Sequence, residues 1–256
     1  MDESAFFDIL LRGWFALAVV MFVVLMVRPP YGRHATSGWG PTVSARPGWL
    51  LMEAPASLLF LLWFLTGSRT GSVVLVVFLL MLEAHYVHCA FVYPFTLVST
   101  ARPMPVLVVL FGILFNVVNM YLDGRYLFTY AAGYGVKWLS GWRFVGGALL
   151  FAAGYALNRY ADTALRRERI ASGLRYCRME RGIFRYIFRY ICCPNYLGEI
   201  IVWIGWAIAT WSLAGLSFAV WTAANLMPRA RAHLQWCREH FEDYPMGRSA
   251  LIPGIW

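Results

Sequence analysis

The chain has 256 residues, of which 60% are hydrophobic and only 14% are charged, and its formal net charge is +9. Soluble domains usually carry about 25% charged residues, so the composition excludes an ordinary soluble protein and indicates an integral membrane protein. No combined aromatic and basic module of a nucleic-acid-binding protein is visible, so we expect no nucleic-acid partner.

Seven apolar segments follow one another along the chain, and each is about as long as an α-helix must be to cross a bilayer. They are 5–27, 48–66, 71–92, 104–121, 143–160, 197–211 and 214–228. The last two come from one long apolar run, and we expect a tight turn near 212–215 to divide it into a hairpin. The sequence therefore predicts an all-α integral membrane protein with seven transmembrane helices in a single domain, residues 1–256.

The arginines indicate the orientation of these helices. If the N-terminus lies outside, most of the 22 Lys and Arg residues fall in inner loops, including an Arg-rich loop at 159–195. Positive residues collect on the cytoplasmic side of membrane proteins, so we expect the N-terminus outside and the C-terminus in the cytoplasm. The acidic start at 1–4 differs from the basic start of a signal peptide, so we expect none. Together with short loops, it favours a bacterial inner membrane.

The segment "MLEAHYVHCAFVYP" at 81–94 places four polar side chains in apolar surroundings. Ionisable residues within a membrane segment are costly and usually functional. In a helix, Glu83 and Tyr86 share one face, whereas His85 and His88 share another. The two histidines have a spacing that suits a metal, but Glu83 faces elsewhere. We therefore favour hydrogen bonds between helices for the histidines.

Two other carboxylic acids lie near the ends of predicted spans. Glu53 is either an interfacial residue that reaches water or an acid that faces a cavity in the bundle. Glu199 lies in the first turn of its helix, where the helix dipole alone favours a negative charge. The five cysteines lack the spacing of a zinc site, so we expect no metal; they are Cys89, Cys177, Cys192, Cys193 and Cys237.

The Arg-rich segment has two interpretations. It is either an amphipathic surface helix on anionic lipid or a pocket for a phosphorylated ligand, since the arginine fork matches phosphate oxygens. Asn158, Asp162, Tyr176 and Asn195 lie in or beside this segment and offer polar contacts that a lipid-binding stripe would not need. The chain has neither a Gly-x-Gly-x-x-Gly turn nor a Walker A motif, so a nucleotide would be held without a Rossmann domain.

Several stretches together resemble the steroid 5α-reductase family. The most specific are "NYLGEIIVWIGWAIATWSLAGLSFAVW" (195–221) and "HFEDYPMGRSALIPGIW" (240–256). Upstream, "YGRHA" (31–35), "HYVHCAFVYP" (85–94) and "ARPMP" (101–105) agree as well. The "HYVH" element with a Glu upstream and the "ALIP" ending favour this branch over the sterol reductases and isoprenylcysteine methyltransferases of the same superfamily.

The resemblance implies a seven-helix membrane enzyme that uses NADPH to reduce the C4–C5 double bond of a 3-oxo-Δ4 steroid of the progesterone or testosterone type. It implies that Glu53 and Tyr86 are catalytic. The implied cofactor contacts are Arg102, Asn158, Asp162, Arg169, Tyr176, Asn195, Glu199, Arg229 and His233. The chain departs from the family at Cys89, where many relatives have Arg, and at Cys237, where they have Tyr.

The implied reaction agrees with the chemistry of these residues. Hydride attack at C5 of an enone moves charge onto the C3 oxygen, and a buried donor at that oxygen stabilises the charge. Tyr86 can donate, and a Glu53 that is protonated or bonded to Tyr86 can complete the pair. We expect the steroid to enter from lipid and NADPH from the cytoplasmic side.

Three alternatives stay open at this point. The protein is a related reductase that acts on another sterol or enone, an S-adenosylmethionine-dependent methyltransferase, or a transporter or lipid-binding protein without turnover.

Overall fold

The computed structural model describes residues 2–27, 40–97, 103–172 and 185–256, and the side chains of 169, 171, 172, 185 and 186 are outside this description. About 81% of the structure is helical. Its α-helices are α1 Glu3–Val27, α2 Ala45–Thr66, α3 Val73–Val87, α4 Tyr93–Thr96, α5 Val106–Arg125, α6 Trp142–Ser172, α7 Arg185–Tyr190, α8 Pro194–Thr210 and α9 Leu213–His240. The strands β1 Thr42–Val43 and β2 Met104–Pro105 pair antiparallel.

Four helical segments in the described ranges are long and apolar enough to cross a membrane. They are Glu3–Val27, Ala45–Thr66, Val73–Thr96 and Val106–Tyr130. The protein is therefore an all-α membrane protein. The other three predicted spans fall in α6, α8 and α9, of which α8 has only 17 residues. Seven spans and their orientation stay predictions.

The Arg-rich segment is more helical than expected. The span predicted at 143–160 continues without a break to Ser172, and residues 185–190 form α7. Ala, Leu, Arg and Glu dominate the extension, and all four are strong helix formers. Much of the predicted loop 159–195 is therefore helix, and residues 173–184 lie outside the described ranges.

The helix that carries Tyr86 changes its winding directly after this residue. Residues His88–Val92 form a π-helical turn, closed by a hydrogen bond from the Tyr93 N–H to the His88 carbonyl. Pro94 has no N–H to donate to Ala90, so the ordinary α-helical bond is not available there. Short π-helical turns are frequent at functional sites, and this one separates Tyr86 from α4.

Helices α6 and α8 pack with their backbones nearly in contact. A Cβ atom added to Gly198 would lie 2.5 Å from the backbone nitrogen of Asn158, and Gly154 faces the same contact from α6. Gly147 and Gly205 meet in the same way two turns away. Small residues allow such close approach between membrane helices. The packing holds the first turns of α8 against Asn158.

The predicted hairpin is present between α8 and α9. Trp211 ends α8 in the left-handed conformation with φ 48°, and the Ser212 side chain accepts a hydrogen bond from the Gly215 N–H at 2.9 Å, which caps α9. The turn thus begins one residue before the predicted range. It places Phe218 of α9 against Trp203 of α8, with stacked ring centroids 3.7 Å apart, in the aromatic core of the bundle.

Candidate active site

Three helices contribute one connected polar group around Tyr86. The Tyr86 hydroxyl donates to Asn116 Oδ1 at 3.1 Å, and Asn116 Nδ2 donates to Glu53 Oε2 at 3.3 Å. The same Nδ2 donates to the Met52 carbonyl at 2.8 Å. A carbonyl can only accept, so this contact fixes the orientation of the amide and turns Oδ1 towards Tyr86. The predicted pair Glu53 and Tyr86 is therefore joined through Asn116.

This polar group extends from the buried core to a more exposed position between helices. Tyr86 and Asn116 are buried, at 3% and 2% exposure, whereas Glu53 is partly exposed. The Tyr86 ring lies 5.8 Å from the Trp203 ring, measured between centroids. The Tyr86 side chain is therefore buried beside an aromatic ring, where water does not compete strongly for the hydrogen bond of its hydroxyl.

A second polar group lies next to the first, because His85 and Tyr86 are neighbours in sequence. His85 Nε2 is 3.1 Å from Glu199 Oε1, and the same oxygen accepts from Trp203 Nε1 at 2.9 Å. Cys89 Sγ lies 3.5 Å from His85 Nε2. Glu199 thus contacts side chains of α3 and α8, so its role goes beyond a favourable interaction with the dipole of its own helix. Its side chain keeps 22% exposure against 2% for His85, so Glu199 is the more accessible member of the pair.

Three of the predicted cofactor contacts form a third polar group at the start of α8. Asn158 Nδ2 donates to the Asn195 carbonyl at 2.9 Å, and Asn195 Nδ2 donates to Asp162 Oδ1 at 3.0 Å. Arg159 joins them through Asn158 Oδ1, with Nε at 2.9 Å, and through Asp162 Oδ2 at 3.5 Å. The Arg159 guanidinium also contacts the His88 ring, which links this group to α3.

The predicted contacts on α9 lie beside the start of α8. The Arg229 guanidinium is 5.4 Å from the Tyr196 ring centroid. His233 lies one turn later on α9, close to Cys237 and Cys192. Hydrogen bonds with the side chains of Cys193 and Cys237 lower the pKa of the Cys192 thiol. This end of the bundle therefore gathers cations and thiols around one loop.

Three predicted site residues are not placed by the structure. Arg102 and Tyr176 lie outside the described residues, as does the side chain of Arg169. The backbone of Arg169 belongs to α6, eleven residues or about three turns after Asn158. The contacts expected of these three residues stay predictions.

The sequence reasoning missed Asn116 and Arg159. Asn116 is a polar residue within an apolar span, and the rule that drew attention to Glu83 and the histidines applied to it equally. Arg159 was counted with the loop arginines, although it directly follows Asn158. Glu83 accepts a 2.5 Å hydrogen bond from Ser57, so it links α2 and α3 and is not part of the three polar groups.

Known proteins with similar sequences align with the whole length of this chain. The family model described as 3-oxo-5-alpha-steroid 4-dehydrogenase matches residues 102–256. The "Steroid 5-alpha-reductase DET2" of Gossypium hirsutum is 36% identical over 259 residues, which cover 100% of this chain and 99% of the relative. The "3-oxo-5-alpha-steroid 4-dehydrogenase 1" of Bos taurus is 38% identical over 243 residues, 93% of this chain and 92% of the relative.

The "3-oxo-5-alpha-steroid 4-dehydrogenase 1" of Homo sapiens is 36% identical over 225 residues, which cover 87% of this chain and 85% of the relative. Plant and animal relatives thus align along nearly their full lengths, including the segments that carry Glu53, Tyr86 and the start of α8. The chain belongs to the 3-oxo-5-alpha-steroid 4-dehydrogenase family.

Proposed function

We propose that this protein is an NADPH-dependent 3-oxo-5α-steroid 4-dehydrogenase, an oxidoreductase that reduces the C4–C5 double bond of 3-oxo-Δ4 steroids to 5α-3-oxo steroids. The observation that carries the proposal is the group Tyr86–Asn116–Glu53, which holds a buried hydroxyl beside the His85–Glu199 pair in a membrane bundle. The names of its relatives describe the same reaction class.

The residues at the start of α8 suit a nicotinamide dinucleotide. Asn158, Asp162 and Asn195 offer amide and carboxylate groups that can bond the hydroxyls of a ribose. Arg159 and Arg229 bring positive charge to the same end of the bundle, as the phosphates of such a ligand require. Glu199 is the more exposed member of the His85–Glu199 pair beside Tyr86. We assign the remaining contacts to Arg102, Arg169, Tyr176 and His233. NADPH, when bound, supplies a hydride.

Tyr86 acts on the C3 oxygen of the steroid. Its hydroxyl has one proton, which Asn116 Oδ1 accepts in the structure. We infer that the steroid ketone takes the place of this oxygen, so that the proton points at the atom where negative charge develops. Donors fixed in advance at such a position commonly contribute about 10²–10³-fold in rate. Glu53 holds the Asn116 amide and supplies a second polar contact beside the ketone.

An open apolar groove between α3 and α6 supports entry of the steroid from lipid. Its volume is about 360 Å³, and it is lined by Val77, Leu80, Met81, Ala84, Phe151, Ala152 and Tyr155. The Tyr155 ring at its end lies 6.0 Å from the His85 ring. A flat apolar ligand that follows this groove reaches the side of α3 that carries His85. We further propose a bacterial inner membrane location, with the cofactor side towards the cytoplasm.

Steady-state turnover of the purified protein tests the proposal. We expect NADPH oxidation with progesterone, testosterone or androstenedione, and a product with the 5α configuration. Tyr86→Phe should lower kcat about 10²–10³-fold while the affinity for NADPH stays within about twofold, since the lost donor acts in the transition state.

Ligand-dependent thermal stability separates the alternatives. A ligand that binds the folded protein raises its melting temperature, and we expect this from NADPH but not from S-adenosylmethionine. The opposite result would indicate a methyltransferase. Absence of turnover with every enone would indicate a transporter or a lipid-binding protein, and turnover of another alkene alone would indicate a different reductase.

A further inference from the structure

Two cysteines and a histidine lie close together at the part of α9 that carries the proposed cofactor contacts. Cys192 Sγ, a ring nitrogen of His233 and Cys237 Sγ all lie within 4.8 Å of one another. Cys237 is fully buried and Cys192 is 7% exposed. None of the four cysteines among the described residues forms a disulfide.

The three side chains come from two separate parts of the fold, the helix α9 and the link before α8. His233 and Cys237 are four residues apart on α9, so they lie on the same face of the helix. Cys192 lies in the short link between α7 and α8, and its N–H donates to the Ser249 carbonyl at 2.8 Å. The next N–H, of Cys193, donates to the Ala250 carbonyl at 3.1 Å. The C-terminal segment therefore fixes the cysteine loop against α9.

The distances are close to those of a metal centre. Zinc bonds to sulfur at about 2.3 Å and to imidazole nitrogen at about 2.0 Å, so tetrahedral geometry places two such ligand atoms roughly 3.5–3.8 Å apart. Cys237 Sγ is 3.8 Å from His233 Nε2. Side-chain shifts of less than about 1 Å would bring the three ligand atoms around one ion.

We propose that Cys192, His233 and Cys237 form a binding site for zinc or another thiophilic divalent metal ion, with the fourth position taken by water. Two thiolates and an imidazole are the ligands that such ions prefer, and sites with three protein ligands keep one open position. The metal ties the loop before α8 to α9. This proposal replaces the sequence-based expectation of no metal and does not depend on reductase activity.

The site is compatible with the cofactor contact assigned to His233. Imidazole has two ring nitrogens, and a ligated histidine commonly uses the second one for a hydrogen bond. One nitrogen of His233 can thus bind the metal while the other faces the cofactor. The metal then orients the ring.

Cobalt titration of the reduced, chelator-treated full-length protein tests the site without steroid or NADPH. We expect one equivalent of Co²⁺ to give the near-ultraviolet sulfur-to-cobalt band and the visible bands of a tetrahedral centre. Zinc should displace the cobalt and abolish both, since it binds such ligands more tightly. Cys237→Ser and Cys192→Ser should each weaken metal binding by more than about 100-fold, beyond the usual cost of losing an outer hydrogen-bond partner alone.

Cys193→Ser is the matched control. Cys193 adjoins Cys192, is 2% exposed and undergoes the same chemical change, but it lies outside the proposed ligand set. Because the Cys193 side chain hydrogen-bonds to Cys192, we expect this variant to weaken cobalt binding by less than about 100-fold and to keep the sulfur-to-cobalt band. If Cys237→Ser does not fold, Cys192→Ser on the loop provides the same comparison, with His233→Gln as a third. The proposal is wrong if the wild-type protein lacks the sulfur-to-cobalt band, if the band survives loss of Cys192 or Cys237, or if Cys193→Ser removes it.

Discussion

Asn116→Leu should separate the positioning of Tyr86 from the stability of the bundle. Asn116 accepts the Tyr86 hydroxyl proton and donates to Glu53 and to the Met52 carbonyl. Leucine has a similar size but no polar atom. The Tyr86 hydroxyl is then no longer held ready for the ketone before the steroid binds, and Glu53 loses the amide that positions it beside the bound ketone. A displacement of a reacting group by about 1 Å can cost about 10²-fold in rate. We therefore expect kcat to fall about 10²-fold.

The effect of Asn116→Leu on the free energy of unfolding should be modest, and a control variant can reproduce it. The Tyr86 hydroxyl is buried, and a buried polar group without a partner costs about 1–3 kcal/mol. Glu53 is partly exposed, so the loss of its bond to Asn116 affects a less deeply buried group than Tyr86. The free energy of unfolding should therefore fall by about 1–3 kcal/mol, mainly through Tyr86.

Asn119→Leu provides the control on the same helix. Asn119 is fully buried and accepts a hydrogen bond from Trp14 Nε1 at 3.2 Å, away from Tyr86. Its replacement should cost a similar 1–3 kcal/mol and leave kcat of the folded protein within about twofold of the wild type. The assay is kcat measured well below the melting temperature of each variant, with thermal unfolding in the same detergent. Equal loss of kcat in both variants, or wild-type kcat in Asn116→Leu, would refute the positioning role.

Substitutions at Glu53, Gly198 and Arg169, with Gly146→Ala as a control, test the rest of the site. Glu53→Gln should lose less kcat than Glu53→Ala, because the amide still bonds to Asn116 and the ketone; equal losses in steady-state assays would mean that charge is what Glu53 supplies. Gly198→Ala should lower the melting temperature and weaken NADPH binding, since its Cβ meets backbone 2.5 Å away and overpacking costs about 1–3 kcal/mol. Gly146→Ala, with open space around its Cβ, should do neither, and similar melting temperatures for the two would contradict the close packing. Arg169→Ala should raise KM for NADPH and leave KM for NADH nearly unchanged, as loss of a contact to the 2′-phosphate requires; a parallel rise for both cofactors would place Arg169 elsewhere.

The sequence predicted the helices better than their ends. Apolar length is a local property, so the first three spans appear in the structure within about four residues of their predicted ends, whereas the fourth continues to Tyr130, nine residues beyond its predicted end. The extension of α6 to Ser172 was missed because hydropathy falls after 160 while helix propensity stays high. The glycines of α6 and α8 repeat every seven residues, and this spacing was a visible but unused signal of close helix packing.

The candidate site was predictable only in part. Tyr86 and Glu53 were found by motif, but the residue that joins them comes from a third helix. No local pattern pairs Asn116 with side chains 30 and 63 positions earlier, because tertiary packing alone decides that contact. The same holds for Cys192, which lies far in sequence from His233 and Cys237, whereas the spacing of the latter two on one helix face was readable.

The position that receives the hydride is the sharpest test of C4–C5 reduction. The purified protein is incubated with progesterone and NADPH that carries deuterium at its transferable position, and the product is analysed by NMR and mass spectrometry. We expect one deuterium at C5 on the α face and a solvent-derived proton at C4, with the C3 ketone intact. Deuterium at C3, deuterium at C5 on the β face, or recovery of unchanged steroid would contradict the proposed reduction.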